Sequence, residues 1–98
     1  MPLSNDQIAA RLRDMSGWAF EQNALVRQLT CASFPDAIAF ITRLAFEAEA
    51  EDHHPDLKVS YKRVTVSWST HDEGGVTEKD FAGARTTNEI AACFVKGA

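Results

Sequence analysis

Only two cysteines, three prolines and one tyrosine occur in 98 residues, and neither a basic cluster nor a long apolar run is present. Cys31 and Cys93 are far apart and form no CxxC, so the spacing favours two buried thiols over a disulfide or redox pair. Nowhere do about 18 apolar residues run together, and Met1 to Asp6 show neither a basic region nor an apolar stretch. No membrane span or secretory signal is expected, and the cytoplasm is the expected location. The formal net charge of -4 argues against affinity for phosphate backbones or anionic membranes, so nucleic acid is not expected as a direct ligand.

What is present is ordinary for a globular chain: 45% apolar and 24% charged residues. This length supports one modest core and no separate module, so residues 1–98 are read as a single domain without repeats or linkers.

Ser4 and Gln7 have the spacing of a capping box, and Ile8, Leu12 and Met15 continue at helical period until Gly17. From Trp18 to Gln22 and from Leu25 to Cys31 the period is two, which predicts a hairpin turning near Asn23. Ser33 and Asp36 frame a second helix start with Pro35 in its first turn. Its apolar stripe of Ala37, Ile38, Ile41, Leu44, Ala45 and Ala48 runs towards Asp52, and Pro55 disfavours helical geometry at His54. From Lys58 the period returns to two: Val59 and Tyr61, a turn at Lys62 and Arg63, then Val64, Val66, Trp68 and Thr70 alternating with Thr65, Ser67, Ser69 and His71. Thr77 to Asp80 resembles a third helix start, followed by Phe81, Ala84, Ala91, Phe94 and Val95 as its packing face. The order αββαββα predicts an α+β fold, a four-stranded antiparallel sheet with three helices packed on one face. An uncovered face and free edge strands predict a homo-oligomer.

All three histidines fall between Glu49 and Asp80, where Glu51, Asp52, Asp72 and Glu73 accompany them. Imidazole is the side chain best suited to proton exchange near neutral pH. Glu49 precedes His53 by four residues, so its carboxylate can meet the His53 ring if the helix persists, and a neighbouring carboxylate can hold one tautomer. The plain alternative is a solvated acidic face ending in surface histidines. A metal set of His53, His54 and His71 is disfavoured, because adjacent side chains diverge in extended chain and no HExxH is present. Nucleophilic catalysis lacks a GxSxG elbow, and Gly74 with Gly75 reads as a turn. Tyr61 and Trp68 read as core or interface aromatics, with Tyr61 able to bound a pocket beneath the histidines.

The spacing of Glu49, His53, His54, Pro55, Tyr61, His71 and Asp80 closely resembles that of the pterin-4a-carbinolamine dehydratases. Gly17, Trp18, Thr42, Arg43, Val64, Val66, Ser69 and Thr70 extend the likeness over roughly Ile8 to Phe94. One departure is Leu57, where the family commonly has Trp. The resemblance implies dehydration of a 4a-hydroxytetrahydropterin, of which the 4a-hydroxy form of tetrahydrobiopterin is one, to the quinonoid dihydropterin. No metal and no organic cofactor is implied.

Under the same resemblance His53 and His71 are the acid/base pair, His54 binds and orients the pterin, and Glu49 supports His53. Asp52, Ser69, Thr70 and Asp72 line the ring, Pro55 fixes the turn, and Tyr61 and Asp80 are supporting residues. Assembly as a homodimer or homotetramer is implied, with an aromatic amino acid hydroxylase as one source of substrate. Some relatives are partners of transcription factors, so a non-enzymatic interaction module on the same fold is the competing expectation, and a small metal-dependent hydrolase is a third.

Overall fold

The computed structural model describes residues 1–95; positions 96–98 of the expected single domain lie outside the described residues. The chain runs α1 (Asn5–Leu12), β1 (Ala19–Glu21), β2 (Ala24–Thr30), α2 (Phe34–Ala50), β3 (Asp56–Ser60), β4 (Arg63–Trp68), a 3-10 turn (His71–Glu73) and α3 (Glu78–Ala91). The sheet is antiparallel throughout, in the order β1-β2-β4-β3. This is the α+β, αββαββα arrangement expected from periodicity.

The caps are those the sequence encodes. Ser4 and Gln7 close a capping box on α1, Ser33 accepts from the Asp36 amide with Pro35 in the first turn of α2, and Thr77 and Asp80 close a box on α3. Each cap supplies acceptors to amides that have no partner within the helix, worth about 1 kcal/mol.

Cross-strand register sorts the sheet into two faces. Leu25 opposes Trp68, Val66 lies between Arg27 and Leu57, and Val64 lies between Leu29 and Val59. On this face Leu25, Leu29, Val64, Val66 and Trp68 are buried with Ile8 of α1, Phe40 and Leu44 of α2, and Phe81 and Ala84 of α3. The other face carries Val26, Ser67 and Asp56 side by side, then Gln28, Thr65 and Lys58. Among the described residues no helix covers it, and the polar alternation is the reason it tolerates exposure. Arg27 sits on the helix side, where burial lowers its pKa and its guanidinium donates to Asn88 Oδ1, which also accepts from Trp18 Nε1 at 2.8 Å.

Several local expectations are corrected. α1 ends at Leu12, and Met15 is buried from the turn that follows. β3 begins at Asp56, two residues before Lys58. The second hairpin turns at Tyr61 and Lys62, with Tyr61 left-handed at φ 56°, so Tyr61 stands at the exposed tip and belongs to neither core nor pocket. Regular β4 ends at Trp68, because His71 to Glu73 wind into a 3-10 turn. Cys31 is buried, where burial and then the charge of Asp36 raise its pKa, but Cys93 lies exposed beyond the end of α3.

Candidate active site

Helix α2 stops just before the histidines. Glu51 caps it, Asp52 is left-handed at φ 51°, and the His53 amide reaches back to Ala48 O at 3.1 Å. The chain thereby leaves the helix with His53 turned inward and His54 outward, before Pro55 leads into β3. The His53 side chain retains 16% exposure and that of His54 56%.

His53 is held from the interior. Its Nε2 donates to Asp80 Oδ1 at 2.6 Å, and its ring lies 5.3 Å from that of Trp68 at an interplanar angle of 31°. Asp80 is fully buried, and its other oxygen accepts from Thr70 Oγ1 at 2.8 Å and the Thr77 amide at 2.9 Å. Thr70 Oγ1 also pairs with Thr77 Oγ1 at 2.8 Å. Three donors thus surround one buried carboxylate, the arrangement that makes its burial tolerable. An acceptor fixed at Nε2 leaves Nδ1 as the free nitrogen of the His53 ring.

The expected contact between Glu49 and His53 does not form. With the helix ended at Ala50, His54 instead donates from Nε2 to Glu49 Oε1 at 2.8 Å, and Asp80 takes the position beside His53. Helical spacing alone pointed to Glu49. The signal for Asp80 is its place in the third helix start, where a capping carboxylate is drawn to the amide end of α3.

His71 enters from the opposite side of the sheet. Alternation puts Trp68 and Thr70 inward and Ser69 and His71 outward. A cavity of about 300 Å³ between α2 and α3 is lined by His53, Trp68, Leu44, Ala48, Gly83 and Lys79. A cleft of about 690 Å³ on the uncovered face is lined by His71, Ser69, Ser67, Thr65, Asp56 and Asn23, among others. Neither space is lined by both His53 and His71. What joins them is the chain itself: Thr70 bonds Asp80 beneath His53, and the next residue is His71.

Asp52 and Asp72 are exposed and line neither space, Thr70 turns its hydroxyl inward, and Pro55 is half-buried at the entry to β3. Among the described residues no group of three or more His, Cys, Asp or Glu side chains is placed to hold a metal ion, and no helix is long and apolar enough to cross a membrane. Asn23, not singled out as a functional position by periodicity or motif, binds the loop that carries His71.

Comparison with known proteins gives a consistent picture. A protein of Chloroflexus aurantiacus named "Putative pterin-4-alpha-carbinolamine dehydratase" is 50% identical over 88 residues, covering 90% of this chain and 95% of its own. One of the same name from Sulfolobus acidocaldarius is 42% identical over 90 residues, covering 92% and 99%. The crystal structure of a transcriptional coactivator/pterin dehydratase from Brucella melitensis superposes with a TM-score of 0.88 at 36% identity, covering 93% of this chain and 99% of that one. The family described as Pterin 4 alpha carbinolamine dehydratase matches residues 1–90, a span that includes every histidine and the buried Asp80 beneath His53. The chain belongs to that family.

Proposed function

We propose that this protein is a 4a-hydroxytetrahydropterin dehydratase acting by histidine acid/base chemistry. The observation that carries the reading is the pair formed by His53 and the fully buried Asp80, inside the motif that the family match spans. In the reaction the C4a–O bond breaks, the departing hydroxyl takes a proton to leave as water, and a ring nitrogen gives up its proton. The product is the quinonoid dihydropterin. Positioned imidazoles suit both transfers.

His53, with Nε2 committed to Asp80, exchanges a proton at Nδ1. Asp80 fixes the ring's tautomer and orientation. His71, on the loop just past β4, serves the other transfer from the open side of the sheet end. His54, oriented by Glu49, binds the pterin. Ser69 lies beside His71 in the cleft, and the exposed Asp52 and Asp72, next to His53 and His71 in the chain, offer polar groups to the pterin. Leu57, on the helix-side face of β3, offers apolar surface where relatives commonly present an indole.

The expected substrate is the 4a-hydroxy form of tetrahydrobiopterin or a side-chain variant, supplied by an aromatic amino acid hydroxylase or another pterin-oxidising enzyme, in tetrahydropterin recycling in the cytoplasm. We further propose assembly through β3, an edge strand exposed at all five positions, whose free backbone groups suit pairing with a second copy. The name of the Brucella neighbour, which joins coactivator to dehydratase, favours a second role as an interaction module on the same fold.

Stopped-flow absorbance of freshly generated 4a-hydroxytetrahydropterin tests the reading. Acceleration that survives EDTA and collapses in His53→Ala is expected. A folded protein that leaves the spontaneous rate unchanged would sink the dehydratase and favour the interaction module.

A further inference from the structure

The loop bearing His71 is tied down from within by Thr70 and from outside by the β1–β2 turn, besides an exposed bond from the Met1 amine to Glu73 Oε1 at 2.6 Å, and only the inner tie belongs to the histidine network. Within the loop, the Thr70 amide donates to Gly75 O at 3.0 Å, the Gly75 amide returns to Thr70 O at 3.3 Å, and Gly74 closes the turn in the left-handed region at φ 78°. Thr70 fastens this base to Asp80. On the outer side the loop meets the turn between β1 and β2. Gln22 and Asn23 are both left-handed there, at φ 49° and 62°, as a two-residue hairpin turn with Glu21 opposite Ala24 requires. Asn23 Nδ2 donates to Gly74 O at 2.8 Å, and Asn23 O accepts from Ser69 Oγ at 3.1 Å. One residue therefore grips the chain on both sides of His71, and it lines the same cleft.

We propose that Asn23 is a positioning residue for His71, which holds the imidazole at the cleft from outside while Asp80 holds its loop from within. The inference rests on the role given to His71 above. Asn23 meets two demands that are separable. The turn needs a residue tolerant of positive φ, which asparagine and glycine both satisfy. The anchor needs a side-chain N–H, which only asparagine of the two supplies.

Asn23→Gly keeps the turn and the carbonyl that Ser69 uses, and deletes only the bond to Gly74. Asn23→Asp, nearly isosteric, keeps left-handed tolerance and lacks the N–H. In both we expect kcat to fall roughly tenfold with KM nearly unchanged, since a displaced proton-transfer group costs rate more than binding. The His71 ring resonance of the free protein, assigned with His71→Ala, is expected to shift or broaden while those of His53 and His54 hold.

Wild-type kcat in both variants overturns the inference. So does a loss of rate with an unmoved His71 resonance, which would mean that Asn23 acts on the substrate directly. The role of His71 is read separately: if His71→Ala turns over at the wild-type rate, that role fails first, and the positioning of His71 fails with it. A variant effect absent against a damaging His71→Ala removes Asn23 alone.

Discussion

The inner and outer sides of the histidine segment are built in opposite ways. On the helix side of the sheet, His53 bonds a carboxylate with no solvent exposure, which two threonines hold in turn. On the outside, His54 and Glu49 form a pair with side chains 56% and 80% exposed, and His71 rides on a surface turn. Both sides present an imidazole beside a carboxylate or a polar loop. They differ in what holds that neighbour: the fold fixes Asp80, whereas water competes for Glu49. A buried hydrogen-bonded group couples site geometry to global stability, and an exposed pair leaves the two separable.

The sharpest way to break this comparison is at Asp80. Asp80→Ala leaves the buried Thr77 amide and His53 Nε2 without their acceptor, and leaves the Thr70 hydroxyl with Thr77 Oγ1 alone. We expect a loss of about 3 kcal/mol of unfolding free energy, from leaving buried donors without an acceptor. Urea denaturation measures it, and turnover should fall by about 10²-fold as the His53 tautomer is released. A fully stable Asp80→Ala variant would mean that the network is decorative.

Gly83 offers the next largest effect. A Cβ there would come within 2.6 Å of the Trp68 ring, whose Nε1 is bonded to Thr87 Oγ1 at 3.0 Å. The indole has little room to retreat, because Thr87 in turn donates to Gly83 O. Gly83→Ala should cost about 1–3 kcal/mol by overpacking and disturb the indole on which the His53 ring rests. Tryptophan fluorescence and thermal unfolding together check it. Unchanged emission and stability would show that α3 can move away without reaching His53.

What was legible in the sequence follows the same division. Caps, apolar stripes and alternation gave the order of elements, because each depends on neighbours within a turn or a strand. His53, His54 and His71 stand out because titratable groups crowd into one segment, and Asp80 because it sits at the start of a helix. The partner of His53 was not legible. Four-residue spacing pointed to Glu49, but the helix ends at Ala50 and the chain turns through a left-handed Asp52, so His53 meets a carboxylate 27 positions later. The place of Tyr61 at the exposed tip is not legible either, because alternation does not reveal which residue of a hairpin takes positive φ. In the sequence Asn23 shows only as a turn residue, since nothing local records that the turn lies against Gly74.

The smallest effect tests the exposed half of the comparison. Glu49→Ala removes the partner of His54 and leaves no buried group unsatisfied, because both side chains face solvent. An exposed ion pair contributes less than about 1 kcal/mol, and salt screens it further, so thermal unfolding should hardly move at low or high ionic strength. Turnover should respond differently from stability. If Glu49 only orients a pterin-binding His54, KM rises severalfold while kcat stays near wild type, the pattern of an interaction equally present in ground and transition states. A fall in kcat at unchanged KM would place Glu49 in proton transfer, by way of His54. The outer pair would then be catalytic machinery maintained without burial, and interior fixation would not be what distinguishes a working imidazole in this protein.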